Sequence, residues 1–151
     1  MDALRRQLTL FLPSEQSQEI EAFRKAYNPI QFQLIAAHIT LCREDELTQW
    51  NVISQSLSNL EAGNLTVYLQ QPTRFADAKG LSMEPAGSYT DFQHLRKHIL
   101  EDTILEPRDH KPHITLIHPR NGRCTEAIWH MTQQLHFPPS FTFSQISLIE
   151  Q

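Results

Sequence analysis

The sequence predicts an α+β fold built from two similar β-α-β-α-β halves, whose two antiparallel sheets flank a central cleft. Two observations lead to this prediction. The tetrapeptide HITL occurs at residues 38–41 and again at 113–116, an offset of 75 in a chain of 151 residues. The hydrophobic patterns around the two copies also follow in the same order at that offset, as in an internal repeat. We therefore expect a single bilobal domain over residues 1–151, with halves of approximately 1–75 and 76–151 related by a pseudo-twofold axis.

The first half contains the helical and strand patterns of one such unit. Residues 15–27 predict a helix because their apolar positions recur at helical spacing and Pro29 follows them. Acidic residues at the start and Gly63 just past the end predict a second helix over 44–62. Alternating or continuously apolar runs predict three strands, at 4–12, 32–42 and 64–70.

The second half repeats this order of elements. Helices are predicted over 88–102 and 125–135, and strands over 78–85, 111–118 and 141–150. At the offset that relates the two tetrapeptides, the strand pattern LTVYL of the first half falls on SFTFS of the second. The repeat therefore extends well beyond the shared tetrapeptide.

Composition and charge exclude several classes of protein. A net charge of −4 disfavours binding of extended nucleic acid, which requires clustered Lys and Arg, although one phosphate needs only a local basic patch. Residues around the second HITL supply such a patch: Arg108, Lys111, Arg120 and Arg123. No apolar run is long enough for a membrane span or a signal peptide. The two cysteines, Cys42 and Cys124, form no CxxC pair, which disfavours a cysteine metal site and favours a reducing cytoplasm. We also expect a monomer.

Each HITL copy holds a histidine and a threonine two positions apart on a predicted strand. Alternate side chains on a strand share a face at a spacing of about 6.6 to 6.8 Å, which places His38 beside Thr40 and His113 beside Thr115. The isoleucine and leucine of each copy then face the core. Across a symmetric cleft, two imidazoles and two hydroxyls would converge.

This set of groups is suited to in-line attack on a phosphodiester. One histidine removes the proton of the attacking oxygen and the other protonates the leaving oxygen, roles that an imidazole with a pKa of about 6.5 fills at neutral pH. The threonine hydroxyls donate hydrogen bonds to the non-bridging phosphate oxygens, where negative charge develops. The scheme requires no metal ion and no other cofactor.

The two H-x-T motifs, each followed by Leu and the second preceded by Pro112, resemble those of the two-histidine (2H) phosphoesterase superfamily. The similarity is greatest to its 2'-5' RNA ligase-like branch, which includes RNA 2',3'-cyclic phosphodiesterases, and it covers essentially the whole chain. Membership implies that His38 and His113 are the catalytic pair and that Thr40 and Thr115 bind the phosphate. It also implies a phosphoric diester hydrolase that opens a 2',3'-cyclic phosphate to a 2'-phosphate, or catalyses the reverse ligation.

The chain departs from the family pattern at one notable place. Members commonly carry Arg soon after the second motif, as in HxTLxR; here Arg43 follows the first copy at that position, whereas His118 follows the second. The chain is also short for the RNA ligase-like branch, which would reduce the loops that grip an RNA end. A small cyclic phosphate, either a nucleotide or an ADP-ribose derivative, is therefore an alternative substrate to an RNA terminus.

Two other functions remain open from the residues alone. The same cleft would serve a binding module that holds a nucleotide without turning it over. A metal hydrolase would use His110 and His113 with a histidine of the 88–102 helix, where His94 and His98 are one turn apart. Phe75 either stacks on a base or anchors its loop, and Cys42 either lines the cleft by alternation or is buried.

Overall fold

The computed structural model of the protein describes residues 4–77 and 79–151. These residues form an α+β fold, as predicted, in which strands and helices are interspersed along the chain. The strands are β1 (Arg6–Phe11), β2 (His38–Cys42), β3 (Leu65–Tyr68), β4 (Thr73–Arg74), β5 (Leu81–Met83), β6 (Ile114–Ile117), β7 (Ser140–Phe143) and β8 (Ser147–Glu150). The helices are α1 (Ser14–Tyr27), α2 (Pro29–Leu34), α3 (Trp50–Ser58), α4 (Thr90–Leu100) and α5 (Glu126–Thr132). Ala78, at the start of the strand predicted over 78–85, lies outside the described residues.

The strands form two antiparallel sheets, which confirms that part of the prediction. The larger sheet has six strands in the order β4-β5-β6-β2-β1-β8, and the smaller one pairs β3 with β7. The two HITL copies occupy β2 and β6, which are neighbours at the centre of the larger sheet. The two motifs are thus carried by adjacent strands of one sheet.

The strand pairings follow the offset between the two motifs in both sheets. The central contact joins Ile39 to Ile114, two positions that the offset interchanges. In the smaller sheet, the pair Thr66–Thr142 is carried by the same offset onto the pair Val67–Phe141. The division of the chain into two duplicated halves stays a prediction, and these registers agree with it.

The residues between the polar positions of each motif are buried, as the alternation predicts. Ile39, Leu41 and Ile114 are fully inaccessible to solvent, and Leu116 is nearly so. They belong to one core that also includes aromatic side chains of α4 and of the smaller sheet. Within the described parts of the chain, no helix combines the length and the apolar character needed to cross a membrane.

Two predicted strands differ from the structure, and one strand was not predicted. The strand expected over 32–42 is shorter, because Pro29 takes the first position of α2, where proline needs no N–H partner, and the helix runs to Leu34. The strand expected over 141–150 is two strands in two different sheets, β7 and β8. The turn-rich stretch before β5 contributes the two-residue strand β4.

The helix expected over 44–62 is also wrong at its start. Residues Glu44–Glu46 form a separate 3-10 turn, and α3 begins only at Trp50. The Glu46 side chain turns back to accept the N–H of Arg43 at 2.9 Å, and it then enters the core instead of facing solvent as a first-turn carboxylate would. A buried ion pair explains this path.

Arg96 of α4 and Glu46 form that ion pair in the interior of the protein. The Arg96 guanidinium donates to both Glu46 carboxylate oxygens at 2.9 and 2.7 Å, and the two side chains are 1% and 4% exposed. Arg96 also donates to the Leu41 carbonyl at 2.6 Å and to the Arg108 carbonyl at 3.2 Å. One side chain therefore joins the end of the first motif to the loop that leads into the second.

The free energy of unfolding should fall steeply in acid because of this pair. Burial alone would raise the pKa of Glu46, but the hydrogen bonds from Arg96 and from the Arg43 N–H, with the charge of Arg108, lower it to about 2. The stabilisation, about 3 kcal/mol, is complete above the unfolded carboxyl pKa of about 4.3 and is lost as the pH falls below that value. Urea unfolding between pH 7 and pH 2 measures it.

Glu46→Gln should remove this acid dependence and lower the free energy of unfolding at pH 7 by about 3 to 5 kcal/mol, because Arg96 is left buried without its charge partner. Glu101→Gln, which changes an exposed carboxylate, is the matched control and should leave the curve unaltered. If the free energy of unfolding falls equally with pH in Glu46→Gln and in the wild type, the ion pair is not the source of the acid dependence.

Candidate functional site

His38, Thr40, His113 and Thr115 lie on one face of the six-stranded sheet, which we call the site face. Their neighbours in each motif are buried on the other face, and side chains alternate along a strand. On the flanking strands, Thr9 of β1 pairs with Thr40, and Ser82 of β5 pairs with Thr115. All four predicted residues are half-buried, which leaves part of each accessible.

The antiparallel register brings the two motifs into direct opposition. Because Ile39 is paired with Ile114, the adjoining positions set His38 opposite Thr115 and Thr40 opposite His113. Directly opposed side chains of an antiparallel pair are about 4.5 to 5.5 Å apart at Cβ. Each histidine thus faces the threonine of the other motif, and the two imidazoles lie diagonally across the four-residue set.

Both imidazoles are held by the same local hydrogen bond. The Nδ1 of His38 is 2.8 Å from the carbonyl of Ala36, and the Nδ1 of His113 is 3.0 Å from the carbonyl of Lys111. A carbonyl only accepts, so in each ring Nδ1 carries a proton. The Nε2 atom of each neutral ring is then the one with a lone pair available for proton transfer.

The two histidines differ in what surrounds them. The ring of Phe11, on the neighbouring strand, meets His38 edge-on with ring centroids 6.0 Å apart, whereas His113 has the ring of His110 at 6.1 Å. Burial lowers the pKa of His38, and the charges of Arg24 and His113 act in the same direction against the bond to Ala36. His38 is therefore predominantly neutral at pH 7.

Each threonine is accompanied by further polar groups from the neighbouring strand. On one side, the Gln7 amide donates to Thr9 Oγ1 at 3.0 Å and to Thr40 Oγ1 at 3.3 Å. At the equivalent place beside Thr115, the Ser82 hydroxyl donates to a Glu84 carboxylate oxygen at 2.7 Å. The site is thus symmetric in layout but carries an amide at one end and a carboxylate at the other.

A shift of register near the end of each motif decides between the two alternatives for Cys42, lining the cleft or burial. Leu8 pairs with Cys42 although Thr9 pairs with Thr40, so one extra residue is inserted in β2. A bulge of this kind turns the following side chain to the other face. Cys42 is accordingly buried with a pKa raised by that burial to about 12, and it does not line the site.

The same bulge occurs in β6, where Leu81 pairs with Ile117 although Ser82 pairs with Thr115. It brings Arg43 and His118 to equivalent places after their motifs. The Nδ1 of His118 accepts the N–H of Arg120 at 3.1 Å, and burial together with the Arg120 charge lowers the His118 pKa. The second motif is thus followed by a neutral imidazole.

Part of the basic patch predicted around the second motif is engaged in protein contacts. Arg108 forms ion pairs with Asp45 and with Glu46, and the Arg120 guanidinium donates to the Gln31 side chain at 3.4 Å. Lys111 and Arg123 are exposed, and they present their charges to solvent. All four cations are exposed, and the patch divides only by contacts, since Arg108 and Arg120 also bind protein side chains.

The structure does not assemble the metal site considered from the sequence. His94 and His98 are exposed on α4, and His110 is hydrogen-bonded to a backbone carbonyl. Among residues 4–77 and 79–151, no group of three or more His, Cys, Asp or Glu side chains is arranged to hold a metal ion. Phe75 is a loop anchor, since its ring lies against Gly80 where even a Cβ atom would approach within 2.5 Å.

Several groups around the site were not singled out by sequence reasoning. Gln7 and Thr9 lie on the first strand, and their alternation with Leu8 was the available signal for a polar face. Asn28 also contributes, because its side-chain oxygen accepts the His118 N–H at 2.8 Å and its amide donates to Asn121. No local pattern reveals this contact, which joins residues 90 positions apart.

A cavity of about 520 Å³ opens on the opposite face of the same sheet. Leu8 and Leu10, which alternate with Thr9, line it together with Trp50 and residues of α3 and α4. None of the four predicted site residues borders it. The cavity is therefore separate from the paired histidines.

Solved structures share the fold of this chain. LigT from E. coli in its apo form superposes with a TM-score of 0.64 and 15% identity, over 99% of this chain and 88% of LigT. A second structure, described as a phosphoesterase, gives a TM-score of 0.60 and 14% identity over the same fractions. The fold is thus that of LigT, in agreement with the predicted fold class. No curated protein sequence matches the chain.

The family follows from the sequence itself. Residues 12–151 match the model of the 2'-5' RNA ligase superfamily, which covers both motifs and all elements except the first strand. The protein therefore belongs to the 2'-5' RNA ligase superfamily, a group of 2H phosphoesterases. The resemblance expected from the two HITL motifs is confirmed.

His38 should titrate below the ordinary imidazole pKa of about 6.5. Replacing Phe11 with Ser should raise this pKa, because the apolar ring against His38 is replaced by a small polar group and water. Proton NMR of the histidine Cε1–H signals between pH 4 and pH 9 measures both values. Leu105→Ala, a change at a side chain that is 85% exposed, is the control. If the pKa of His38 is the same in Phe11→Ser and in the wild type, the phenyl ring is not the cause of the lowered pKa.

Proposed function

We propose that the protein is a metal-independent phosphodiesterase that hydrolyses 2',3'-cyclic phosphates to 2'-phosphates, with His38 and His113 as the acid/base pair. The observation that carries this proposal is the matched pair of Nδ1 hydrogen bonds to Ala36 and Lys111. They fix two imidazoles in the same tautomer on adjacent strands. Packing alone gives no reason for such a match.

In the proposed reaction, a single displacement at phosphorus opens the cyclic phosphate. A water oxygen forms a bond to phosphorus while its proton passes to Nε2 of one histidine. The bond from phosphorus to the 3' oxygen breaks, and Nε2–H of the other histidine protonates that oxygen as it leaves. The product retains the phosphate on the 2' oxygen. With the 5'-hydroxyl of an RNA as the nucleophile in place of water, the same displacement would form a 2'-5' phosphodiester: the hydroxyl proton passes to the base, the bond from phosphorus to the 3' oxygen breaks, and the acid protonates that oxygen.

The surroundings of the rings support His38 as the base. A base must be neutral before reaction, and burial beside Phe11 favours the neutral form of His38. His113 then supplies the proton to the leaving oxygen. The diagonal placement of the two rings suits attack and departure on opposite sides of phosphorus.

The threonines are suited to hold the non-bridging oxygens. Thr40 and Thr115 each lie opposite a histidine of the other motif, so a phosphate between the imidazoles would be within reach of both hydroxyls. Gln7, which donates to Thr40 Oγ1, orients that hydroxyl so that its own proton is free for phosphate. Beside Thr115, by contrast, Ser82 and Glu84 pair with each other.

The substrate class is a small cyclic phosphate or the end of an RNA. LigT has been crystallised with phosphate, with 3'-AMP and with NADP+, which are phosphate-bearing small molecules. The net charge of −4 and the few accessible cations around the site favour a ligand held at one phosphate over an extended strand. A nucleoside 2',3'-cyclic phosphate is therefore the first substrate to test.

His38→Ala and His113→Ala should each lower kcat/KM for a nucleoside 2',3'-cyclic phosphate by about 10²- to 10⁴-fold, because each removes one proton transfer. Thr40→Val and Thr115→Val should lower kcat by a smaller factor, and EDTA should have no effect on the wild type. Product release monitored by phosphorus NMR also identifies the 2'-phosphate. His98→Ala, on the exposed face of α4, is the matched control.

Full activity of either histidine variant would contradict the paired mechanism. Binding of the cyclic phosphate by calorimetry without any turnover would instead support the binding-module alternative. Loss of activity with EDTA, restored by a divalent metal ion, would replace the scheme with a metal-dependent one.

The rate should depend on pH as a bell, since the base must be neutral and the acid protonated. The acid limb of kcat/KM should have its midpoint below pH 6.5, because it reports His38 in the free protein, whose pKa is lowered by burial. Rates of the wild type from pH 4 to pH 9 test this. A flat profile, or an acid limb that is unmoved in Phe11→Ser, would count against His38 as the base.

A further inference from the structure

His110 occupies a place in the second half that has no counterpart in the first. The offset that superimposes the two motifs places His110 on Ile35. His113 therefore has an imidazole beside it, whereas His38 has the phenyl ring of Phe11. An asymmetric residue against one of two otherwise matched histidines calls for a specific role.

The ring of His110 connects the two central strands at the point where their pairing ends. The register joins Ile39 to Ile114, and β6 begins only at Ile114. One position further along β2, the Thr40 carbonyl is met by His110, whose Nε2 is 3.0 Å away. Because a carbonyl accepts, the Nε2 of His110 carries the proton and donates it.

The same ring is in contact with two other rings. It stacks on Phe92 of α4 with centroids 6.2 Å apart and planes inclined by 28°, and its other neighbour is the His113 ring at 6.1 Å. Both spacings are those of interacting aromatic rings. The position of the His110 ring depends on its contacts with α4 and β2, and the position of the His113 imidazole depends in turn on His110.

The loop that carries His110 is fixed at the two preceding residues as well. Arg108 is bound to Asp45 and Glu46, and Asp109 accepts the Tyr89 hydroxyl at 2.8 Å and also contacts Gln93. The residue after His110 is Lys111, whose carbonyl holds Nδ1 of His113. Any movement of His110 would therefore displace the carbonyl that sets the tautomer of His113.

The electrostatic surroundings keep His110 uncharged. Burial lowers its pKa, and the charges of Arg96 and His113 add to this effect, against the hydrogen bond to Thr40 and the charge of Glu46. A neutral ring supplies a hydrogen-bond donor without placing a second positive charge beside His113. It is thus suited to orient that histidine while leaving its protonation free to change.

We propose that His110 is a positioning residue for His113: its Nε2–H bond to the Thr40 carbonyl, together with its packing against Phe92 and His113, fixes the orientation and tautomer of the second motif histidine. The effect on catalysis rests on the proposed function. The effect on the imidazole of His113 does not, because it concerns the resting protein.

His110→Phe and His110→Gln separate this role from simple packing. Phe retains a ring in contact with Phe92 and His113 but removes the donor to Thr40, whereas Gln restores an Nε2–H donor on a side chain of similar reach. Nitrogen-15 NMR of the imidazole of His113 reports its tautomer, and steady-state kinetics on a 2',3'-cyclic nucleotide separates kcat from KM. His98→Ala is the control for a distant histidine, and thermal unfolding of every variant measures stability.

At a pH where the ring of His113 is neutral, the wild type should show a single tautomer with the proton on Nδ1. His110→Phe should show a mixture of tautomers and a kcat lower by about 10- to 100-fold with KM nearly unchanged, since misplacement of a catalytic group acts on the transition state. His110→Gln should recover most of both losses. His98→Ala should match the wild type in tautomer, kcat and KM.

An unchanged tautomer in His110→Phe overturns the proposal whatever the activity, and so does a kcat within twofold of the wild type. Failure of His110→Gln to improve on His110→Phe also overturns it. If His110→Phe does not fold, His110→Asn replaces it in the same comparison, since its amide is too short to reach Thr40. If the wild type turns over no cyclic phosphate, the proposed function fails and the tautomer measurement still decides the role of His110.

Discussion

The pairing of β2 with β6 at Ile39 and Ile114 is the contact on which the rest of the arrangement depends. It turns two motifs that lie half a chain apart into neighbours, and its antiparallel sense sets each histidine opposite a threonine. Both isoleucines are completely buried, so slipping the register by one position would expose the core strand faces and bury the polar ones. The hydrophobic effect thereby enforces the geometry of the polar groups.

Helices from each half brace the segments that follow the motif of the other half. Arg96 of α4 holds the Leu41 carbonyl and Glu46 after the first motif. Asn28, between α1 and α2, holds the turn after the second through the His118 N–H. One brace is a buried ion pair and the other a neutral amide network, although they serve equivalent places. The layout of the fold is thus more symmetric than the chemistry that maintains it.

The sequence was sufficient for the class of fold, the four site residues as candidates and their shared face, because these follow from strand alternation and a visible repeat. The boundaries after each motif were not accessible in this way. The bulge that buries Cys42 depends on pairing with β1, and the departure of Glu46 from a helix depends on Arg96, 50 residues later. The donation from His110 to Thr40 likewise spans 70 residues. Each of these is decided by a tertiary partner, which single-sequence patterns do not contain.

The bond from each imidazole to the carbonyl two residues before it has a consequence for how such a protein can evolve. A main-chain carbonyl is present whatever the side chain, so Ala36 serves one ring and Lys111 the other. The orientation of each ring therefore depends on the path of the backbone, and a substitution at the residue whose carbonyl holds the ring leaves that orientation unchanged. Extensive drift of the surrounding sequence is compatible with such a design, and the chain retains the LigT fold at 15% identity.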